Sequence, residues 1–216
     1  MNNTRHKASA ILPMSAKEFQ ETLNISEENM EKLAAFLRAL EKWNKKINLV
    51  GAASLKDPWR RHMLDSAQLL THIPKNAGHV VDIGSGAGFP GLVLAALGGF
   101  QVHLVESDSR KCVFLNEVNR LIHAGAGIQN RRIEAVRDLK ADIVTARACA
   151  PLKILLDYAF PLIKNSGKLL FLKGKKAEEE LTESKKNWTM SVQSTPSISD
   201  PSGVILILEN ISFRHG

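Results

Sequence analysis

The chain has 216 residues, a length that suits one medium domain with a short appendage. Its 44% apolar and 24% charged residues exclude disordered and fibrous classes, while 29 Lys and Arg against 22 Asp and Glu leave a formal charge of +7 that favours a polyanionic partner without establishing one. The two cysteines, Cys112 and Cys149, form no C-x-x-C pair, so neither a disulfide framework nor a zinc site is expected.

In chain order, Met1 to Ser15 carries basic residues, but its apolar part contains Pro13 and is too short for a signal segment. The longest apolar run, 90–100, is far below the roughly 20 residues that span a bilayer. A cytoplasmic protein is expected. From Ser15 to Leu40 apolar residues recur at three and four: Phe19, Leu23, Met30, Leu33, Ala34, Leu37 and Leu40. A break near Asn24 and a helix entry at Ser26, followed by Glu27 and Glu28, place a second helix over 27–45. Asp57-Pro58 opens a third helix through Trp59, His62, Met63, Asp65, Leu69 and Leu70, ending before Ile73-Pro74. Trp43 and Trp59, at helical spacing, are expected in the core. Residues 1–75 thus form a helical N-terminal region, and 76–216 a second domain.

From His79 onward, β-rich runs at 79–83, 101–105, 142–146 and 168–172 alternate with helical stretches at 90–98, 109–123 and 151–164. The run 203–209 is a final strand, with 191–195 as an antiparallel partner, and 173–186 reads as a charged, exposed stretch. This alternation predicts an α/β fold with a doubly wound, mostly parallel sheet.

The candidate site follows the first strand, in Val80-Val81-Asp82-Ile83-Gly84-Ser85-Gly86-Ala87-Gly88-Phe89-Pro90-Gly91. Backbone can approach a ligand closely where side chains are missing, and ligands of such sheets bind at the carboxyl ends of the strands. Gly86, Gly88 and Gly91 formally satisfy a dinucleotide pattern, but the triplet starts late and Asp82 would repel a pyrophosphate. S-adenosylmethionine, which carries an ammonium and a sulfonium, reverses that logic. Glu106 ends the next strand about 20 residues on, where an acid can accept ribose hydroxyls.

At these residues the chain resembles the glucose-inhibited division protein B family, bacterial methyltransferases that make N7-methylguanosine in 16S ribosomal RNA. The likeness runs from about Trp43, through 43–49, 61–66, the 82–91 loop, 145–148 and 172–174. It implies a seven-stranded sheet and S-adenosylmethionine contacts at Gly84, Phe89, Ile133, Glu134 and Arg147. Cys149 departs from the pattern and is expected to be a buried small hydrophobe. The Ala146–Pro151 segment also lacks the Asn/Asp-Pro-Pro-aromatic element of base-amino methyltransferases.

Guanine N7 has no proton to lose, so positioning suffices and no general base is expected. Arg147 is the candidate positioning group, with His62 and Asp65 one turn apart beside it. Lys45, Arg60, Arg61, His62, Asp65, Lys173 and Lys175 are the candidate RNA contacts, joined by Lys46 and Lys176. The expected partner is 16S ribosomal RNA or the small ribosomal subunit, met by a monomer. Alternatives are a methyltransferase for another RNA, a protein or a small molecule, and an NAD-dependent oxidoreductase or nucleotide-binding protein.

Overall fold

The computed structural model describes residues 12–214; most of Met1 to Ser15 lies outside the described residues. Helix α1 (Ala16–Leu23) opens with a reciprocal cap, in which Glu18 N donates to Ser15 Oγ at 3.2 Å and Ser15 N to the Glu18 carboxylate at 2.7 Å. It stops at Asn24, whose φ of 51° reverses the chain. Helix α2 (Glu27–Asn44) is capped by Ser26, as expected. The third helical segment is less regular than its spacing implies: Trp59–Leu64 is π-helical, a single turn α3 (Asp65–Ala67) follows, and Gln68–His72 tightens to a 3-10 helix.

Seven strands form one sheet: β1 (His79–Ile83), β2 (Gln101–Glu106), β3 (Gly127–Asn130), β4 (Ala141–Arg147), β5 (Ile163–Lys173), β6 (Trp188–Pro196) and β7 (Val204–Phe213), in the order β3-β2-β1-β4-β5-β7-β6. The first five are mutually parallel, and β7 runs antiparallel to both β5 and β6. Alternate residues of β1, β2, β4, β5 and β7 feed two apolar clusters. Val80 and Leu104 pack with α1, α2, α4 (Gly91–Leu97) and α5 (Ser109–Leu121), whereas Val81, Ile83 and Val144 pack with α6 (Leu152–Ala159) and α7 (Ala177–Ser184). The sheet is therefore covered on both faces, with the N-terminal helices in the same cluster as α4 and α5. Trp43 packs on Phe114 and Trp59 on Phe19.

Two expected boundaries are corrected. The helix expected over 151–164 ends at Ala159, because Pro161 has no N–H to continue it, and β5 begins at Ile163. The charged stretch 173–186 contains α7, which buries Ala177, Leu181 and Ser184, leaves Glu178, Glu179 and Glu183 exposed and turns the half-buried Glu180 to Lys173 and Leu152 N. No helix among the described residues is long and apolar enough to cross a membrane.

Candidate active site

The strand order reverses between β1 and β4, so the loops leaving their carboxyl ends part and meet over a crevice. A cavity of about 980 Å³ opens there, lined by Gly84, Ser85, Gly86, Ala87 and Phe89 from the first loop and by Arg147, Ala148 and Cys149 from the second. Gly84 and Gly86 have φ of 66° and 55°, a region that favours residues without Cβ. A Cβ on Gly84 would lie 2.2 Å from Cys149 Sγ. Cys149 is exposed to this cavity rather than buried, a correction to the expected core role; Ala148, at φ 49°, turns it out of the strand.

Glu106 lines the cavity while remaining only 8% exposed. Its Oε2 accepts from Gly86 N at 2.9 Å and its Oε1 from Asp108 N at 2.8 Å, so it ties the glycine loop to the end of β2. Ile133 and Glu134 lie on the same wall, and Tyr158 donates its hydroxyl to Glu134 Oε1 at 3.0 Å. Tyr158 and Ile154 were not anticipated, although their spacing of four on α6 turns both toward the cavity.

Asp82 stands differently from the expectation. It is fully buried beneath the loop and outside the cavity lining, with Oδ1 accepting from Thr145 Oγ1 at 2.8 Å and Oδ2 from Gly91 N at 3.3 Å. Its role is to pin β1, β4 and the start of α4 together, and a Cβ on Gly91 would meet its carboxylate at 2.8 Å. Gly88 is likewise a packing glycine, since a Cβ there would strike Leu92 at 2.7 Å.

Burial pushes the Asp82 carboxyl up to about 6 from its ordinary 3.8, so the folded protein holds this proton more tightly than the unfolded chain does. The associated stability is full below the unfolded value and is lost as pH rises through about 6. Asp82→Asn cannot ionise, and the Thr145 hydroxyl can rotate to accept from its amide. The variant should therefore gain on the wild type by roughly 3 kcal/mol between about pH 4 and about pH 8. Urea unfolding of both proteins at the two pH values measures this; a pH-independent difference would show that Asp82 ionisation does not load the fold.

Opposite the glycine loop lies a polar wall. Arg147, at the end of β4, donates from Nη1 to Arg61 O at 2.9 Å and to Asp65 Oδ2 at 3.2 Å, and its Nη2 meets His62 Nδ1 at 3.2 Å. Arg147 and Asp65 are each 17% exposed, and burial works against the Arg147 charge while Asp65 and Asp82 sustain it. The guanidinium lies 4.9 Å from the Phe89 ring centroid, on which His62 and Phe36 also stack. Asp65 further accepts from Ser199 and Gln68, which fasten the β6–β7 loop to this wall, and Arg61 reaches Asp200 in that loop at 2.7 Å.

Of the expected RNA contacts, Arg61, His62, Asp65, Lys173 and Lys175 line the cavity. His62 does so as a buried group whose basicity burial and Arg147 push down to about 3, and so not as a cation. Lys173 is committed to Glu180 at 2.6 Å. Lys45 and Arg60 fall outside the lining; Arg60 is turned to Asp57 and to the Leu12 carbonyl. Lys111 and Arg132, which the sequence did not single out, stand on the rim with Lys175 and Lys176.

A mixed sheet in this order, parallel but for an antiparallel β7, with a glycine loop after β1 and an acid ending β2, defines a class I S-adenosylmethionine-dependent methyltransferase. Solved structures agree on the fold: a putative O-methyltransferase from Klebsiella pneumoniae superposes with a TM-score of 0.62 at 12% identity, covering 92% of this chain and 97% of that one. An O-methyltransferase from Bacillus cereus in complex with SAH gives 0.60 at 12% identity over 92% and 98%.

The family model for rRNA small subunit methyltransferase G matches residues 29–204, and the chain belongs to that family. The ribosomal RNA small subunit methyltransferase G of Paramagnetospirillum magneticum is 50% identical over 199 residues, 92% of this chain and 97% of the relative. That of Rhodospirillum rubrum is 48% identical over 198 residues, 92% and 98%.

Proposed function

We propose that this chain transfers the methyl group of S-adenosylmethionine to N7 of a guanosine in 16S ribosomal RNA of the small subunit. The residues of the crevice fit that donor. Gly84 and Gly86 leave the loop open for close backbone approach, Ile133 offers an apolar wall to an adenine, and the Glu106 oxygens keep lone pairs for ribose hydroxyls beyond the N–H groups they already accept. S-adenosylmethionine supplies an electrophilic methyl group on a sulfonium sulfur.

One observation carries the choice of acceptor atom: the ionisable side chains opposite the glycine loop are engaged with one another, Arg147 with Asp65 and His62, and Arg61 with Asp200. Such a wall orients an acceptor and excludes water without removing a proton. Guanine N7, with a lone pair and no hydrogen, asks for orientation alone. Lys111, Arg132, Lys175 and Lys176 on the rim supply counter-charge for the RNA backbone.

Tritiated donor incubated with small ribosomal subunits from cells lacking the enzyme should label 16S RNA, and nucleoside mass spectrometry should return N7-methylguanosine. Label in another base, in ribosomal protein or in small molecules alone would overturn the proposal.

A further inference from the structure

We propose that His62 is a positioning residue for methyl transfer, held as the neutral Nε2–H tautomer so that its Nδ1 lone pair fixes the plane of Arg147; this rests on the function proposed above. A guanidinium only donates, so the 3.2 Å contact from Arg147 Nη2 requires a bare Nδ1. The proton of a neutral imidazole must then be on Nε2, which donates to Ser54 Oγ at 3.0 Å, and Ser54 Oγ in turn donates to Gly51 O at 2.7 Å. Arg147 thus sets the direction of every hydrogen bond in a chain that reaches the loop after α2. The charged groups facing the ring are Arg147 from β4 and Arg61 from its own helical segment, and both disfavour an imidazolium.

What this chain does for catalysis follows from a count of donors. Arg147 has five N–H groups. Two on Nη1 go to Arg61 O and Asp65, and one on Nη2 goes to His62. Among the described residues no partner takes Nε–H or the second Nη2–H, and Arg147 lines the cavity, so these are the donors it can offer an acceptor base or phosphate. His62 also stacks on Phe89 at 4.7 Å between ring centroids, which holds the fork beside the cofactor loop. The ring is therefore neither general base nor RNA-binding cation; it keeps two donors aimed.

The tautomer is read on resting protein at pH 7 by a two-bond proton–nitrogen correlation spectrum, the His62 signals being identified by their loss in His62→Asn. Expected is the Nε2–H pattern; an Nδ1–H pattern or an imidazolium overturns the inference. In kinetics, His62→Leu keeps an apolar body against Phe89 but has no acceptor, and should lose at least about tenfold in kcat with little change in KM for the donor, the size of one misdirected contact. His62→Asn, whose Oδ1 stands near the position of Nδ1, should recover most of that rate. Equal thermal unfolding of the two variants separates positioning from folding, and wild-type kcat in a folded His62→Leu enzyme would also overturn the inference. A wild-type enzyme that methylates no ribosomal RNA would instead strike the proposed function, with the tautomer still deciding for or against the hydrogen-bond chain.

Discussion

Gly84→Ala is expected to weaken S-adenosylhomocysteine binding by about a hundredfold, close to 3 kcal/mol, while leaving the chain folded. Two separate costs add up. At φ 66° an alanine is in the left-handed region, at about 1 to 2 kcal/mol. The added carbon would also stand 2.2 Å from Cys149 Sγ and 3.0 Å from its Cβ, so the β1 and β4 loops must part across the crevice. Turning the Cys149 Sγ away does not clear the contact, because rotation about χ1 leaves the Cys149 Cβ in place at 3.0 Å. The double variant Gly84→Ala/Cys149→Gly removes the collision and keeps the backbone strain, and should regain about tenfold. Calorimetry on the three proteins measures both steps, and wild-type affinity in the single variant would remove this loop from the cofactor site.

Much of this crevice was legible in the sequence because it is built from local features. An apolar strand, a run of glycines and an acid ending the next strand, joined by the Gly86–Glu106 hydrogen bond, form the cavity wall between Gly84 and Glu106. The same holds for α1 and α2, which the apolar spacing, the break at Asn24 and the cap at Ser26 mark out, whereas the cap at Ser15 goes unread. The edge strand Gly127–Asn130 did not stand out, being four residues long and half polar.

Local pattern failed where partners come from far along the chain. Asp82 reads as a ligand group beside the loop, but Thr145, 63 residues away, and Gly91 claim its carboxylate below the surface. Arg60 and Arg61 are indistinguishable as neighbouring cations, yet one turns to Asp57 and the other to Asp200, 139 residues on. The irregular helix between them and Gln68 has no signature in residue type, whereas the three-residue spacing of His62 and Asp65 that turns both toward Arg147 is readable from the sequence.

Arg147→Ala should lower turnover about a hundredfold, the order expected when the acceptor loses its aim, with a smaller loss of cofactor affinity. The variant also leaves Asp65, which is 17% exposed, without its cation, and an unpaired carboxylate at that depth destabilises by up to about 3 kcal/mol. A lower rate alone could therefore reflect a looser fold. Arg147→Ala/Asp65→Asn separates the two, because the amide still accepts from Ser199 and carries no charge to strand. Its melting temperature should return toward the wild type while turnover stays low. Recovery of both together would mean that Arg147 serves the fold alone, and an unchanged rate in Arg147→Ala would remove it from the active site. Arg147→Lys tests the same geometry from the other side: one ammonium cannot satisfy Arg61 O, Asp65 and His62 and still present a planar fork, so charge retained without shape should not restore the rate.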